Sequence, residues 1–345
     1  MEVFTMKKNT MKKLLAAALS LALSLSLTAC GGGSTSGSNP SDSGDGNALK
    51  IAVVKQMDHA SLDEIANAIT ARLDEISKEQ GVAIQYEVHS GQDGSQDLLN
   101  QIGAQVVADG VDAIIPIATT AAKLMTVAAE ESKTPVIFSA ISDPETAELT
   151  GIDYVTGVSD ALNTQFILDM MLAQNPDVGT VGLLYSLSED NSAKPIAEAK
   201  AYLEAKGIPY VEATGNTIDE VISAVSTLQG QVDAVFTPTD NNIMKAELAI
   251  APTFIEMGVP HYTGADSFVR NGAFTTCGVN YTDLGHQTAD LAYEALTQGM
   301  DGLEDYYLME GGIITVNTET AAALEIDYSV FQSMGQVVEV ITTED

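Results

Sequence analysis

Over residues 49–263, short apolar runs alternate with longer stretches whose apolar residues recur every three or four positions. The first run, LKIAVVK at 49–55, is nearly continuous in apolar and β-branched residues. Such a run predicts a parallel strand covered on both faces. Residues 61–78 follow, with Leu62, Ile65, Ala66, Ile69, Leu73 and Ile76 at helical spacing. Ser61 and Glu64 are spaced as a capping box at its start, and Gly81 marks its exit. Strands at 83–89, 112–118 and 135–140 and helices at 95–109 and 119–131 continue the alternation. The segment TGVS at 156–159 then leads into a helix at 160–173. A second series places strands at 180–185, 208–213, 232–237 and 260–263 and helices at 191–206, 219–228 and 242–257. Beyond 263 the pattern loosens to a strand at 273–279, a helix at 282–296 and a strand at 313–316. This βα alternation predicts an α/β fold of doubly wound parallel sheets.

The two series correspond in order. VDAIIPIATT at 111–120 and VDAVFTPTDNN at 232–242 are twin strand–polar stop–helix motifs. A duplicated unit predicts two Rossmann-like lobes with a ligand between them, beyond the carboxyl ends of the strands. Four junctions there carry small polar residues: Gln56 to Ser61, Thr119 with Thr120, Ser186 to Ser192, and Thr239 to Asn242. Helix N-termini favour an anion, and Thr119, Thr120, Ser188, Asn191 and Ser192 add neutral donors suited to a carboxylate. Asp240 is the central acid and suits an ammonium through a charge-assisted bond. Together they describe an α-amino acid zwitterion, with Asp240 and its neighbour Asn241 on the second lobe. Met57, Ile117, Phe138, Tyr185 and Leu187 are placed to meet an apolar side chain; with no Trp in the chain, any stacking falls to Tyr, Phe or His.

The formal net charge is −33, which repels nucleic acid, so no nucleic-acid partner is expected. Lys7, Lys8, Lys12 and Lys13 precede an apolar run ending in Leu27-Thr28-Ala29-Cys30, the pattern of a secretory signal. Residues 31–47 (GGGSTSGSNPSDSGDGN) lack apolar groups and read as a flexible tether. Cys277, the second cysteine, reads as a small core residue. GxGxxG, GxxxxGK[ST] and G-x-S-x-G are absent, and His59, His89, His261 and His286 lack metal-cluster spacing. The chain therefore reads as no enzyme, with no metal or cofactor; His59 beside Asp58 at a strand end is the histidine nearest the site.

Asp58-His59 before SLDEI, VDAIIPIATTAA, FSAISDP at 138–144, TGVSD at 156–160, LYSLSEDNS at 184–192 and PTDN at 238–241 resemble one family over residues 49–300. It is the family of ABC-transporter substrate-binding lipoproteins of the type I periplasmic-binding fold, whose members include binders of tryptophan, tyrosine or phenylalanine. The resemblance implies three hinge crossings, an extracytoplasmic protein anchored by lipid on Cys30, and a monomer delivering its ligand to an ABC permease. It implies residues 1–29 as signal, 30–48 as tether, 49–156 plus about 264–300 as lobe one, and 157–263 plus about 301–345 as lobe two. Met57, Asp58, His59, Ser139, Ser142, Asp143 and Asp266 complete the candidate ligand set. The family often carries Glu-His-Pro where this chain has Asp58-His59-Ala60. A sugar or nucleoside binder on the same fold is the alternative.

Overall fold

The computed structural model describes residues 48–343. The signal, the tether and Cys30 therefore lie outside the described residues. The elements run Leu49–Lys55 (β1), Ala60–Gln80 (α1), Ile84–Ser90 (β2), Gln96–Ala108 (α2), Ala113–Ile117 (β3), Thr119–Ala128 (α3), Val136–Ser139 (β4) and Val155–Ser159 (β5). Next come Thr164–Gln174 (α4), Val181–Tyr185 (β6), Asp190–Lys206 (α5), Tyr210–Thr214 (β7), Ile218–Thr227 (α6), Ala234–Thr237 (β8), Asn241–Met257 (α7), His261–Thr263 (β9), Asp266–Arg270 (α8) and Thr275–Gly278 (β10). Tyr281–Gln298 (α9), Tyr307–Leu308 (β11), Ile313–Asn317 (β12), Thr318–Ala323 (α10), a 3-10 turn at Ser329–Ser333 and Gln336–Val340 (β13) complete the described chain.

The strands form two sheets, ordered β11-β5-β4-β3-β1-β2 and β13-β12-β10-β9-β8-β6-β7. The inner orders β4-β3-β1-β2 and β9-β8-β6-β7 are the same arrangement, as the twin motifs in the sequence require. Pairing is parallel except between β10 and β12. β1 is covered on both sides, and Val53 and Val54 are fully buried, which is why its sequence is continuous rather than alternating. Each sheet with its flanking helices is a lobe, and α9 packs against α1 beside the first sheet.

The chain passes between the sheets three times, after Ser159, after Gly278 and after Leu308. These points differ from the expected boundaries at 156, 264 and 300. Residues 155–159 form β5, paired to β4, so the first crossing comes later and α4 begins at Thr164. The sequence pattern assigns this Gly-containing segment no strand and starts a helix at 160. A Cβ there would meet the Phe138 ring at 2.3 Å, so the glycine permits close packing within a strand. β10 pairs with β9 and belongs to the second lobe, whereas β11 pairs with β5 and belongs to the first.

The capping box at the start of α1 does not form. His59 is the N-cap residue and makes no side-chain cap bond. The Ser61 hydroxyl bonds Ser267 at 2.5 Å, and Glu64 accepts from Thr282 at 2.9 Å. Ser61 thus ties α1 to the second lobe, and Glu64 ties it to α9.

Candidate functional site

The carboxyl ends of β1, β3, β4 and β5 face those of β6 and β8 across a narrow cleft whose cavity is about 20 Å³ with the lobes this close. Two residues of its wall, Ala118 after β3 and Ala140 after β4, hold positive φ angles of 74° and 57°. Such angles cost a non-glycine residue free energy and cluster at functional sites. Ala118 is the N-cap of α3, so the turn presents the start of that helix, at Thr119, to the cleft.

A connected polar cluster crosses the cleft. Ser142 donates to Asp160 Oδ1 at 3.0 Å and shares a 3.0 Å hydroxyl contact with Thr239 of the other lobe. Tyr281 donates to Asp160 Oδ2 at 3.1 Å. Asn191 Nδ2 donates to the Thr239 carbonyl at 2.6 Å. Asp160 is 5% exposed, and burial holds its carboxyl above the usual range. Burial, then the Asp160 charge, pushes the Tyr281 hydroxyl well up. Leu62, Met244 and Phe268 add apolar surface to the same wall. Asp160 was not among the expected ligand residues. Its signal was the TGVSD run, whose final acid follows β5 directly.

A second chain of bonds links first lobe to second and back. Gln56 accepts from the Thr120 amide at 2.9 Å and donates to Glu189 Oε1 at 2.9 Å. Asn241 Nδ2 donates to Glu189 Oε2 at 2.7 Å, and Asn241 Oδ1 meets His59 Nε2 at 3.0 Å. Burial, and next the charge of Asp240, pushes the Glu189 carboxyl up to about 8. Burial drives the His59 imidazole down to about 4, so it is neutral, and its Nδ1 has no partner among the described residues. Gln56 and Glu189 sit in two of the polar junctions, but neither residue type was expected to contact the other lobe. Three ion pairs rim the cleft: Lys123–Asp190 at 2.7 Å, Lys194–Asp143 at 3.3 Å, and Lys245 with Asp93.

The structure gives Asp240 a different occupation from the one expected. It is fully buried, and its Oδ1 accepts from the Asn242 and Ile243 amides, each at 3.1 Å, capping α7. Its Oδ2 accepts from the Ser186 amide at 2.7 Å and the Ser192 hydroxyl at 2.6 Å. Both oxygens are used within the second lobe. Ser188 bonds Ser186 and Asn242 in the same lobe. Ser139 bonds Thr288 of α9, and Met57 is buried beneath Gly94. Asp58 pairs with Lys55, and Asp266 pairs with Arg270, both away from the cleft wall. Ile117 and Phe138 are core residues, Tyr185 bonds Glu212, and Leu187 is exposed. His59, Thr119, Ser142, Asn191 and Asn241 do come together at the cleft, joined by Asp240 beneath it. Among the described residues, no group of His, Cys, Asp and Glu is placed to hold a metal ion.

Residues 50–333 match the family model described as ABC transporter substrate binding protein. The chain is 27% identical over 281 residues to the tyrosine-binding protein of Clostridioides difficile (strain R20291), covering 80% of this chain and 81% of that one. It is similar in structure to an ABC domain in complex with L-Trp from Streptococcus pneumonia, with TM-score 0.75 and 30% identity, covering 84% of this chain and all of that one. A ligand-free, open substrate-binding protein with adhesive properties from Clostridium difficile matches at TM-score 0.64 and 25% identity, over 86% of this chain and all of that one.

Proposed function

The chain belongs to the ABC transporter substrate-binding protein family, and from that premise we propose that it captures an α-amino acid with an apolar or aromatic side chain by closing its lobes. The observation that carries this reading is Asp160. It is a buried carboxyl on the cleft wall, held by two hydroxyls, and among the described residues no lysine or arginine pairs with it. A buried acid without a cation is costly, and a ligand ammonium beside it supplies the missing charge. The ligand carboxylate then lies at the start of α3, where Thr119 and the helix N-terminus favour an anion. Leu62, Met244 and Phe268 take the side chain. The Trp and Tyr named for two relatives support this class of ligand. The closer structural match to the L-Trp complex than to the open, ligand-free protein accords with lobes that meet across the cleft.

The three crossings act as the hinge, and bonds such as Ser61–Ser267 and Ser142–Thr239 form as the lobes meet. In this reading the protein is a monomeric extracytoplasmic lipoprotein, held to the membrane through Cys30, that presents its closed form to an ABC permease. Loss of metabolic palmitate labelling in Cys30→Ala checks the anchor.

Calorimetric titration with L-tyrosine, L-tryptophan and L-phenylalanine tests the site. Asp160→Asn should weaken binding by about 2–5 kcal/mol, the usual cost of removing one member of a buried charge pair. Unchanged affinity would remove Asp160 from the site. Equal binding of the deaminated analogue of the preferred ligand would favour a sugar or nucleoside instead.

A further inference from the structure

A second cavity, of about 400 Å³, lies where the chain passes between the sheets, and all three crossings contribute to its wall. Its size falls within the usual range of small-molecule sites. Leu162, Phe166, Val279, Met309 and Met334 supply the apolar, adaptable half of its lining, and polar groups make up the other half. Among the described residues, no lysine or arginine lines it. Its one carboxyl, Asp160, has both oxygens taken by Ser142 and Tyr281. An anion would meet no partner there, and the one acid a cation could meet is the one that takes the cleft ligand's ammonium in the function proposed above. The chemistry that fits is a neutral molecule with an apolar body and an uncharged polar group such as a hydroxyl.

Two features tie this cavity to the cleft. Asp160 and Tyr281 line both, so one hydrogen-bonded pair forms a shared wall. The cavity's other walls are the crossing segments, whose backbone angles must change if the lobes rotate. We infer that the hinge cavity binds a neutral small molecule of this kind, whose occupancy is coupled to closure of the cleft. The coupling rests on the hinge closure proposed above, whereas the cavity and its chemistry do not. A molecule that fits the cavity better in the closed form raises the affinity of the cleft ligand, and the cleft ligand raises its affinity by the same factor.

Cys277 provides the readout, since its buried thiol lines the cavity. The full chain carrying Cys30→Ser keeps Cys277 as its sole thiol. Burial pushes that thiol up to about 11, so its modification by methyl methanethiosulfonate is slow enough to time. The probe is 1-adamantanol, a compact neutral molecule lacking the amine and carboxylate of an amino acid. It should slow the modification several-fold, and Met334→Trp, which fills the cavity, should abolish that effect. It should also tighten L-tyrosine binding by about fivefold or more. Equal modification rates with and without 1-adamantanol would overturn the binding site. Protection with unchanged L-tyrosine affinity would overturn the coupling. Should L-tyrosine and the other aromatic amino acids fail to bind at all, the proposed function falls, while Cys277 protection still decides the cavity.

Discussion

Glu189→Gln probes the proposed closure through its proton. Glu189 lies between the Gln56 and Asn241 amides, at 2.9 and 2.7 Å, and is buried, with Gln56 of the first lobe covering one of its oxygens. Burial raises the carboxyl of its neighbour Asp240 as well, but there four hydrogen bonds from fixed donors oppose burial and favour the charged form. Asp190 nearby is compensated by Lys123. The proton therefore resides on Glu189, whose carboxyl is pushed up to about 8. Once protonated, Glu189 donates to the Asn241 side-chain oxygen after that amide turns over, and the amide nitrogen then donates to His59 Nε2. The same heavy atoms serve both arrangements. With the lobes apart, water reaches Glu189, and its carboxyl returns toward the ordinary value of 4.5. Closure thus takes up a proton between those two values. The raised value belongs to the closed form, so its contribution is full below the ordinary value and is lost as pH rises through about 8. Ligand affinity should fall by roughly tenfold per pH unit across that window and level off above it. Calorimetric titration of the full chain from about pH 5.5 to about pH 8 reads the slope. Glu189→Gln, neutral at every pH, should flatten it while retaining tight binding. A flat wild-type profile, or an unchanged slope in the variant, would refute the reasoning.

Asp240→Ala should cost about 3 kcal/mol of fold stability through the lost cap and charged hydrogen bonds, read by urea unfolding. The folded fraction should bind ligand normally, whereas a collapse of affinity would return Asp240 to the role expected from sequence. Replacing Lys123, Lys194 and Lys245 together by Gln should weaken ligand binding by about 1–2 kcal/mol and reduce its dependence on salt, since each pair crosses the cleft near solvent. Titration at low and high ionic strength reads both effects. Ala118→Gly should raise the thermal midpoint by releasing about 1 kcal/mol of backbone strain at φ 74°. An unchanged midpoint would mean that this backbone is relaxed.

The alternation of elements was legible because both sheets are covered on two faces. β1, β3, β6 and β8 are each close to the apolar run that predicted them. β5 was hidden by Gly157, and β11 and β13 are edge strands too short or too polar to stand out. The strand-end location of the site was also readable, because helix starts collect small polar residues. Which of those residues cap and which face the cleft was not. Asp240 and Asp160 both follow a strand in an acid-ended run, and only the position of the facing lobe distinguishes them. Likewise Ser61 has the spacing of a cap and the occupation of an interlobe contact. Local spacing carries no record of a partner 206 residues away.

The late strands have a bearing on how the protein is made. The first sheet is completed only by Tyr307–Leu308, and the second only by Gln336–Val340. Neither half is a continuous piece of chain, so neither can be cut out as a single segment. During synthesis the first core stays unfinished until Leu308, and the second until Val340, has left the ribosome. A polypeptide built this way has little to lose by remaining unfolded until those late strands are present.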